Sequence, residues 1–169
     1  MTRCNHFLAF PLFALGLLAL PALTLADERV QTTSDTLLAR IQVEDFINDY
    51  YWGLANVGEE DITEFWAEGA VFDVNGNVYN GLDEIEAVYA LGLGPGGRLV
   101  FQPAIPRIHI NGNQAVIDLI YTGMLNVDPN LAPVPHEQGH DHMELVFANG
   151  LWKISRRTLR TFSLAQTAE

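Results

Sequence analysis

The order of the hydrophobic patterns constrains the fold of this chain more than any other sequence feature. From Ser34-Asp35 to Leu54 apolar residues recur at helical spacing, whereas beyond residue 97 short apolar runs are joined by turn signals. Helices therefore come first and hairpin-linked strands follow, without strand–helix–strand alternation. This order predicts an α+β domain with an antiparallel sheet.

Turn and cap signals divide the chain further. Asp61 is placed to cap a short helix in which Ile62, Phe65 and Trp66 share one face. Gly81 opens another helical segment. Asn-Gly pairs predict tight hairpin turns at 75–76, 111–112 and 149–150.

Prolines interrupt the strand-rich half. They separate two short predicted strands, Arg98–Gln102 and Ile108–Ile110. Residues 127–139 contain three prolines and show no periodicity, so we expect a loop there.

The N-terminal segment predicts export. A basic start precedes an apolar run from Phe7 to Leu20. Thr24 and Ala26 then supply small residues at positions −3 and −1 of a cleavage site after Ala26. Residues 1–26 are expected to be a signal peptide and 27–35 a flexible N-terminus, with the protein periplasmic or secreted. An uncleaved membrane anchor is the alternative, but the run is short for a spanning helix. We expect no stable membrane insertion once the signal is removed.

Charge and cysteine content exclude several classes of function. The chain carries 21 acidic and 9 basic residues, for a net charge of −12, so nucleic acid is a poor partner. The single cysteine, Cys4, lies within the predicted signal. The mature protein is therefore expected to lack disulfides, thiolate metal sites and a cysteine nucleophile.

Three stretches resemble the SnoaL-like branch of the NTF2-like superfamily. They are FWAEGAVFD at 65–73, YNGLDEIEAVYALGLG at 79–94 and GHDHMELVFANGLWKISRRTL at 139–159. The resemblance spans residues 36–162 and leaves 163–169 as a flexible tail. It implies a cone in which a curved antiparallel sheet wraps around the N-terminal helices and leaves an apolar pocket. It also implies a homodimer formed through the outer sheet face.

Ketosteroid isomerases are members of this superfamily, and their site residues can be matched to positions in this sequence. The tyrosines of that site are partly present, but its two acids are not. Two pocket tyrosines fall on Tyr50 and Tyr89, and a third is replaced by Trp66. The general-base aspartate falls on Val74, and the second acid falls on Met143. The histidine common in dehydratase-like members falls near Phe101-Gln102. The resemblance therefore argues against a ketosteroid isomerase and against a dehydratase of the scytalone type.

Asp118 is the candidate general base. It lies within an apolar strand, where alternation places it on one face with Val116 and Ile120. The family register turns this face towards the pocket, where a desolvated carboxylate could take a proton while Tyr50 positions an oxygen. A solvated carboxylate, or one paired with an arginine, is the alternative.

A histidine-rich strand invites a metal-binding interpretation. His140, His142 and Glu144 point the same way on a strand, and His136 precedes them. The family register places them on the outer face, so we predict no metal there. If a bulge reverses that register, His142 becomes an acid–base candidate beside Asp118.

The C-terminal arginine of the family falls on Arg157. Lone charges are rarely buried, so we expect Arg157 to form a buried ion pair, with Asp141 as a candidate partner.

The sequence is compatible with two functions. One is a cofactor-independent isomerase, dehydratase or hydrolase that transfers protons through Asp118, Tyr50 and His142. The other is a non-catalytic module that binds a ligand or a protein. In both, a small hydrophobic molecule occupies the pocket. The residues expected to line it are Tyr89, Trp66, Val74, Val116, Ile120, Met143 and Arg157.

Overall fold

Helices precede most of the strands, as the hydrophobic pattern predicts. The computed structural model describes residues 34–56, 61–92, 98–128 and 130–163. The elements in chain order are α1 (Ser34–Ala55), a 3₁₀ helix (Ile62–Phe65), β1 (Trp66–Val74), β2 (Asn77–Asn80), α2 (Leu82–Gly92), β3 (Arg98–Asn111), β4 (Gln114–Asn126), β5 (Val134–Ala148) and β6 (Leu151–Ser163).

The strands form one six-stranded sheet in the order β2-β1-β6-β5-β4-β3. Every neighbouring pair is antiparallel except β1 and β6, which run parallel. The chain passes from β2 through α2 to the far edge at β3, then returns strand by strand until β6 reaches β1. The α+β prediction is confirmed, but the sheet is mixed rather than wholly antiparallel.

The inner face of the sheet, which carries Ile117, Leu119 and Tyr121 of β4, packs against α1. These three side chains are buried, and the Tyr121 ring lies 6.3 Å from that of Tyr51 on α1. The alternate residues of β4 lie on the opposite, outer face. Burial of one face therefore fixes the strand register.

Caps and turns follow the local signals. The Asp61 carboxylate accepts a hydrogen bond from the Thr63 amide at 2.9 Å and caps the 3₁₀ helix. The turns at 75–76 and 149–150 have two consecutive positive φ angles, which suit Asn-Gly. The β3–β4 turn lies one residue later than predicted, at 112–113, because Asn111 pairs with Gln114.

Three element boundaries differ from the prediction. β3 is a single edge strand with a register shift between Ala104 and Arg107, since an edge strand tolerates proline. β5 begins at Val134 rather than after residue 139. Trp66 starts β1 instead of ending a helix. No helix in the described ranges is long and apolar enough to span a membrane.

Candidate functional site

A buried ion pair lies on the inner face, where β5 adjoins β6. Asp141 and Arg157 are 0% and 2% exposed, and Arg157 Nη2 lies 2.5 Å from Asp141 Oδ2. Arg157 Nε also donates to both carboxylate oxygens, at 3.0 and 2.9 Å. Burial lowers the pKa of Arg157, but the Asp141 carboxylate and the hydroxyl groups of three neighbouring tyrosines together outweigh burial and hold that pKa well above its usual range. The predicted ion pair is confirmed.

Three tyrosines complete what we call the polar cluster: Tyr50, Tyr51, Tyr89, Asp141 and Arg157. Arg157 Nη1 donates to the hydroxyl oxygens of Tyr50 at 2.6 Å and Tyr89 at 3.0 Å, which lie 2.6 Å apart. The Tyr51 hydroxyl donates to Asp141 Oδ2 at 2.7 Å. Burial is the main cause that raises the pKa of all three tyrosines, so they stay neutral near pH 7.

Aromatic rings surround the polar cluster. The Arg157 guanidinium lies 5.0 Å from the Phe72 ring centroid and 5.1 Å from that of Tyr50. Phe72 also stacks on Tyr89, with centroids 5.7 Å apart, and Trp66 lies edge-on to Tyr50. Because this environment excludes water, hydrogen bonds within the cluster are stronger than at the surface.

The structure brings together most of the ligand-binding residues predicted for the inner face. Met143 on β5 is buried and lies directly opposite Arg157 on β6. Trp66 is buried beside Phe72, and Val74 is half-buried against the same core. Within the polar cluster, only Tyr51 was not predicted; its adjacency to Tyr50 on α1 gave no signal, because neighbouring helix positions usually diverge.

The prediction that Asp118 lies on the pocket-lining face is wrong. Asp118, together with Val116 and Ile120, lies on the outer face, because the alternate residues of β4 are the ones that pack against α1. His142 shares that outer face, directly opposite Asp118. Its Nδ1 lies 2.7 Å from Asp118 Oδ1, with both side chains about one-third exposed. These residues do not join the polar cluster.

The histidines of β5 lie on the outer face, as the family register indicates. His140 Nε2 is 3.8 Å from Asp118 Oδ1, and His142 Nε2 is 3.9 Å from Glu144 Oε1. His136 is exposed near the start of the strand. Within the described ranges, no three His, Cys, Asp or Glu side chains are arranged to hold a metal ion.

A cleft of 270 Å³ lies between α1 and β3 and is called here the α1–β3 cleft. Its lining is mainly apolar, and Tyr51 connects it to the polar cluster through Asp141. The lining residues are Asn48, Tyr51, Trp52, Ala55, Val100, Phe101 and Pro103. None of them is a carboxylate or a histidine, so this lining can bind an apolar molecule but supplies no general base.

Comparison with known proteins supports the fold. The sequence profile of the SnoaL-like domain matches residues 35–158, whereas no curated protein matches the chain. An NTF2-like protein with a cystatin-like fold from Novosphingobium aromaticivorans is 17% identical, with a TM-score of 0.62 over 82% of this chain and 94% of that one. The NTF2-like α+β fold predicted from the sequence is confirmed.

Two further solved structures carry names of enzymes. A protein proposed to be a scytalone dehydratase, from Novosphingobium aromaticivorans DSM 12444, is 19% identical, with a TM-score of 0.65 over 77% of this chain and 89% of that one. The hexachlorocyclohexane dehydrochlorinase LinA-type3 of Novosphingobium barchaimii LL02 is 17% identical, with a TM-score of 0.63 over 78% and 94%. At these identities the likeness shows the fold alone.

Proposed function

Because this chain belongs to the SnoaL-like domain family, we propose that it binds a small, mainly apolar molecule in the α1–β3 cleft. The observation that carries the proposal is the character of this cleft. Its walls are mainly apolar, and the Tyr51 hydroxyl behind them is held by the buried Asp141 carboxylate. Ligand sites commonly combine an apolar lining with a few fixed polar groups.

Binding without catalysis fits this arrangement better than proton transfer does. Tyr51 links the cleft to the Asp141 carboxylate, but both oxygens of that carboxylate already accept hydrogen bonds from Arg157, and Oδ2 also accepts one from Tyr51. A general base must reach the proton that it removes. Asp118 and His142 lie on the outer face, so they do not supply that base to this cleft.

Filling the cleft tests the proposal. We expect Val100→Trp to weaken binding of small alicyclic and aromatic compounds about tenfold or more, since an indole would occupy the cleft. Isothermal titration measures the affinity, and a ligand-dependent rise in Tm gives a second readout. Val78→Trp makes the same change at an exposed site on β2, outside the cleft.

The pattern of affinities decides the outcome. If both Val100→Trp and Val78→Trp bind the ligand with the affinity of the wild type, the ligand does not occupy the α1–β3 cleft. Asp118→Asn is expected to bind the same compounds as the wild type does, because Asp118 lies on the other side of the sheet. If the wild type converts a bound compound and Asp118→Asn does not, the protein is an enzyme and not a non-catalytic binding module.

The proposal includes export and a homodimer. The predicted signal at 1–26 lies outside the described residues, so export rests on the sequence pattern, and cell fractionation tests it. The homodimer is proposed through the outer sheet face, where Ile120 is 43% exposed. Light scattering at several concentrations would show a monomer throughout if that proposal is wrong.

A further inference from the structure

Four Asn-Gly pairs lie in the described ranges, at 75–76, 80–81, 111–112 and 149–150. The backbone nitrogen of the glycine in such a pair can attack the side-chain carbonyl carbon of the asparagine, because glycine has no Cβ to obstruct the approach. This reactivity is one reason why asparagine is thermolabile in proteins. In a folded domain the hydrogen bonds of the two groups decide which pair reacts, because those bonds must open before the groups can meet.

The turns at 75–76 and 149–150 form a matched comparison. Their backbones are nearly the same, with φ angles of 52° and 54° at the asparagines and 92° and 84° at the glycines. Both asparagines are exposed, and open space surrounds both glycines where a Cβ would lie. Neither backbone shape nor exposure therefore distinguishes the two pairs, and any difference in reactivity must come from their hydrogen bonds.

Hydrogen bonds hold both reacting groups of the pair at 75–76. Asn75 Nδ2 donates to Thr161 Oγ1 at 2.7 Å, and Asn75 Oδ1 accepts from the Thr161 backbone N–H at 2.9 Å. The Gly76 N–H donates to Asp73 Oδ1 at 2.8 Å. Arg160 holds the Asp73 carboxylate in turn, with Nη1 and Nη2 at 2.7 and 2.8 Å. Attack at this pair therefore requires several hydrogen bonds to break first.

The pair at 149–150 lacks such restraints. Among the described residues, neither the Asn149 side-chain amide nor the Gly150 N–H has a hydrogen-bond partner. The other two pairs are held through the backbone. The Gly81 N–H donates to a backbone oxygen of β1 at 2.8 Å, and Asn111 is paired with Gln114 in the sheet. Asn149 is therefore the asparagine whose side chain and following amide nitrogen can meet most readily.

We propose that Asn149 is a site of spontaneous deamidation. The Gly150 amide nitrogen loses its proton to a solvent base and attacks the side-chain carbonyl carbon of Asn149. A carbon–nitrogen bond forms and closes a succinimide ring, while the bond to the side-chain nitrogen breaks and ammonia leaves. Water then opens the ring at either carbonyl and gives aspartate or isoaspartate. This modification is independent of the ligand proposed for the α1–β3 cleft.

Either product changes the turn between β5 and β6. Aspartate adds a negative charge to a chain that is already acidic. Isoaspartate routes the backbone through the former side chain and so adds an atom to the turn. Because Ala148 and Leu151 pair directly across this turn, the longer backbone of the isoaspartyl form strains that pairing. The modification therefore acts on the end of the hairpin and not on the polar cluster.

Incubation of the purified full-length protein in mildly alkaline buffer tests the inference, with peptide mass spectrometry following each Asn-Gly pair over time. We expect Asn149 to deamidate about tenfold or more faster than Asn75, because hydrogen bonds must break before Asn75 can react. The same incubation in urea removes those hydrogen bonds. In the unfolded chain the two rates should therefore become similar, which separates the effect of the fold from that of the local sequence.

A matched pair of variants tests the role of the hydrogen bonds. Thr161→Val removes the acceptor of Asn75 Nδ2 and should speed deamidation of Asn75 severalfold without changing the rate at Asn149. Thr122→Val makes the same change on β4, away from both turns, and should leave both rates as in the wild type. Circular dichroism checks that both variants are folded.

Three results would overturn the inference. In the first, Asn75 or Asn111 deamidates as fast as Asn149 in the folded protein. In the second, the ratio of the rates at Asn149 and Asn75 is the same in the folded and unfolded chains, so that the local sequence and not the fold sets it. In the third, folded Thr161→Val deamidates at Asn75 no faster than the wild type does.

Discussion

Replacing Arg157 with methionine is expected to lower the free energy of unfolding by about 3–5 kcal/mol. The substitution leaves the Asp141 carboxylate buried without its cationic partner and removes the donor shared by Tyr50 and Tyr89. A loss of this size is a large share of the ~5–15 kcal/mol that stabilises most domains. Urea unfolding followed by circular dichroism measures it.

Two further variants separate charge burial from packing. Arg157→Met/Asp141→Leu removes both charges and is expected to recover more than half of the loss, because an apolar pair can replace a buried ion pair. Arg156→Met makes the same substitution at the preceding exposed position and should change stability little. A double variant no more stable than Arg157→Met would show that the tyrosine hydrogen bonds, and not the charge pair, carry the stability.

The domain is also expected to unfold steeply above pH 10. Burial raises the pKa of Tyr50, Tyr51, Tyr89 and Tyr121 above the ordinary tyrosine value of about 10. In the unfolded chain these tyrosines lose their protons near pH 10, whereas in the folded domain they keep them. The unfolded state then binds fewer protons, so stability is fully present below pH 10 and falls as the pH rises further.

The size of this effect follows from the number of buried tyrosines. Each contributes a slope of about 1.4 kcal/mol per pH unit, so the four together give about 5 kcal/mol per unit. We expect tyrosine ionisation, followed by absorbance, to coincide with loss of the circular dichroism signal. Ionisation of all tyrosines near pH 10 in a domain that remains folded would contradict the buried hydroxyl network.

One substitution and one control sharpen the pH experiment. Tyr50→Phe removes one buried hydroxyl. Above pH 10 the free energy of unfolding of this variant should therefore fall less steeply with pH, by the contribution of one tyrosine. Tyr79→Phe removes a tyrosine outside the polar cluster and should leave the slope as in the wild type. Because both variants lose one hydroxyl, the difference between them isolates the contribution of the buried network.

Helix α1 is central to the proposed functions because different faces of it serve different sites. Tyr50 and Tyr51 reach the polar cluster, and Asn48 and Trp52 line the α1–β3 cleft. A ligand in the α1–β3 cleft would therefore contact an element that the buried ion pair helps to hold against the sheet.

Local sequence signals determined the α+β class, the hairpins and the capped 3₁₀ helix. The Asn-Gly pairs at 75–76 and 149–150 have positive φ angles at both residues, and the Asp61 carboxylate reaches an amide two residues away. These interactions span few residues, so they can be predicted without the tertiary fold. The Arg157–Asp141 pair could also be anticipated, because Arg157 matches the family's C-terminal arginine and a lone charge is rarely buried.

Only the tertiary structure decided which face of β4 is buried. Alternation shows that Val116 and Asp118 share a face and that Ile117 and Leu119 share the other, but both faces carry apolar side chains. Since α1 packs on the Ile117 side, Asp118 is left on the outer face beside His142, and Asp141 on the neighbouring strand lies in the interior. A strand pattern with a period of two fixes which residues lie together, whereas the packing of a distant helix fixes which set is buried.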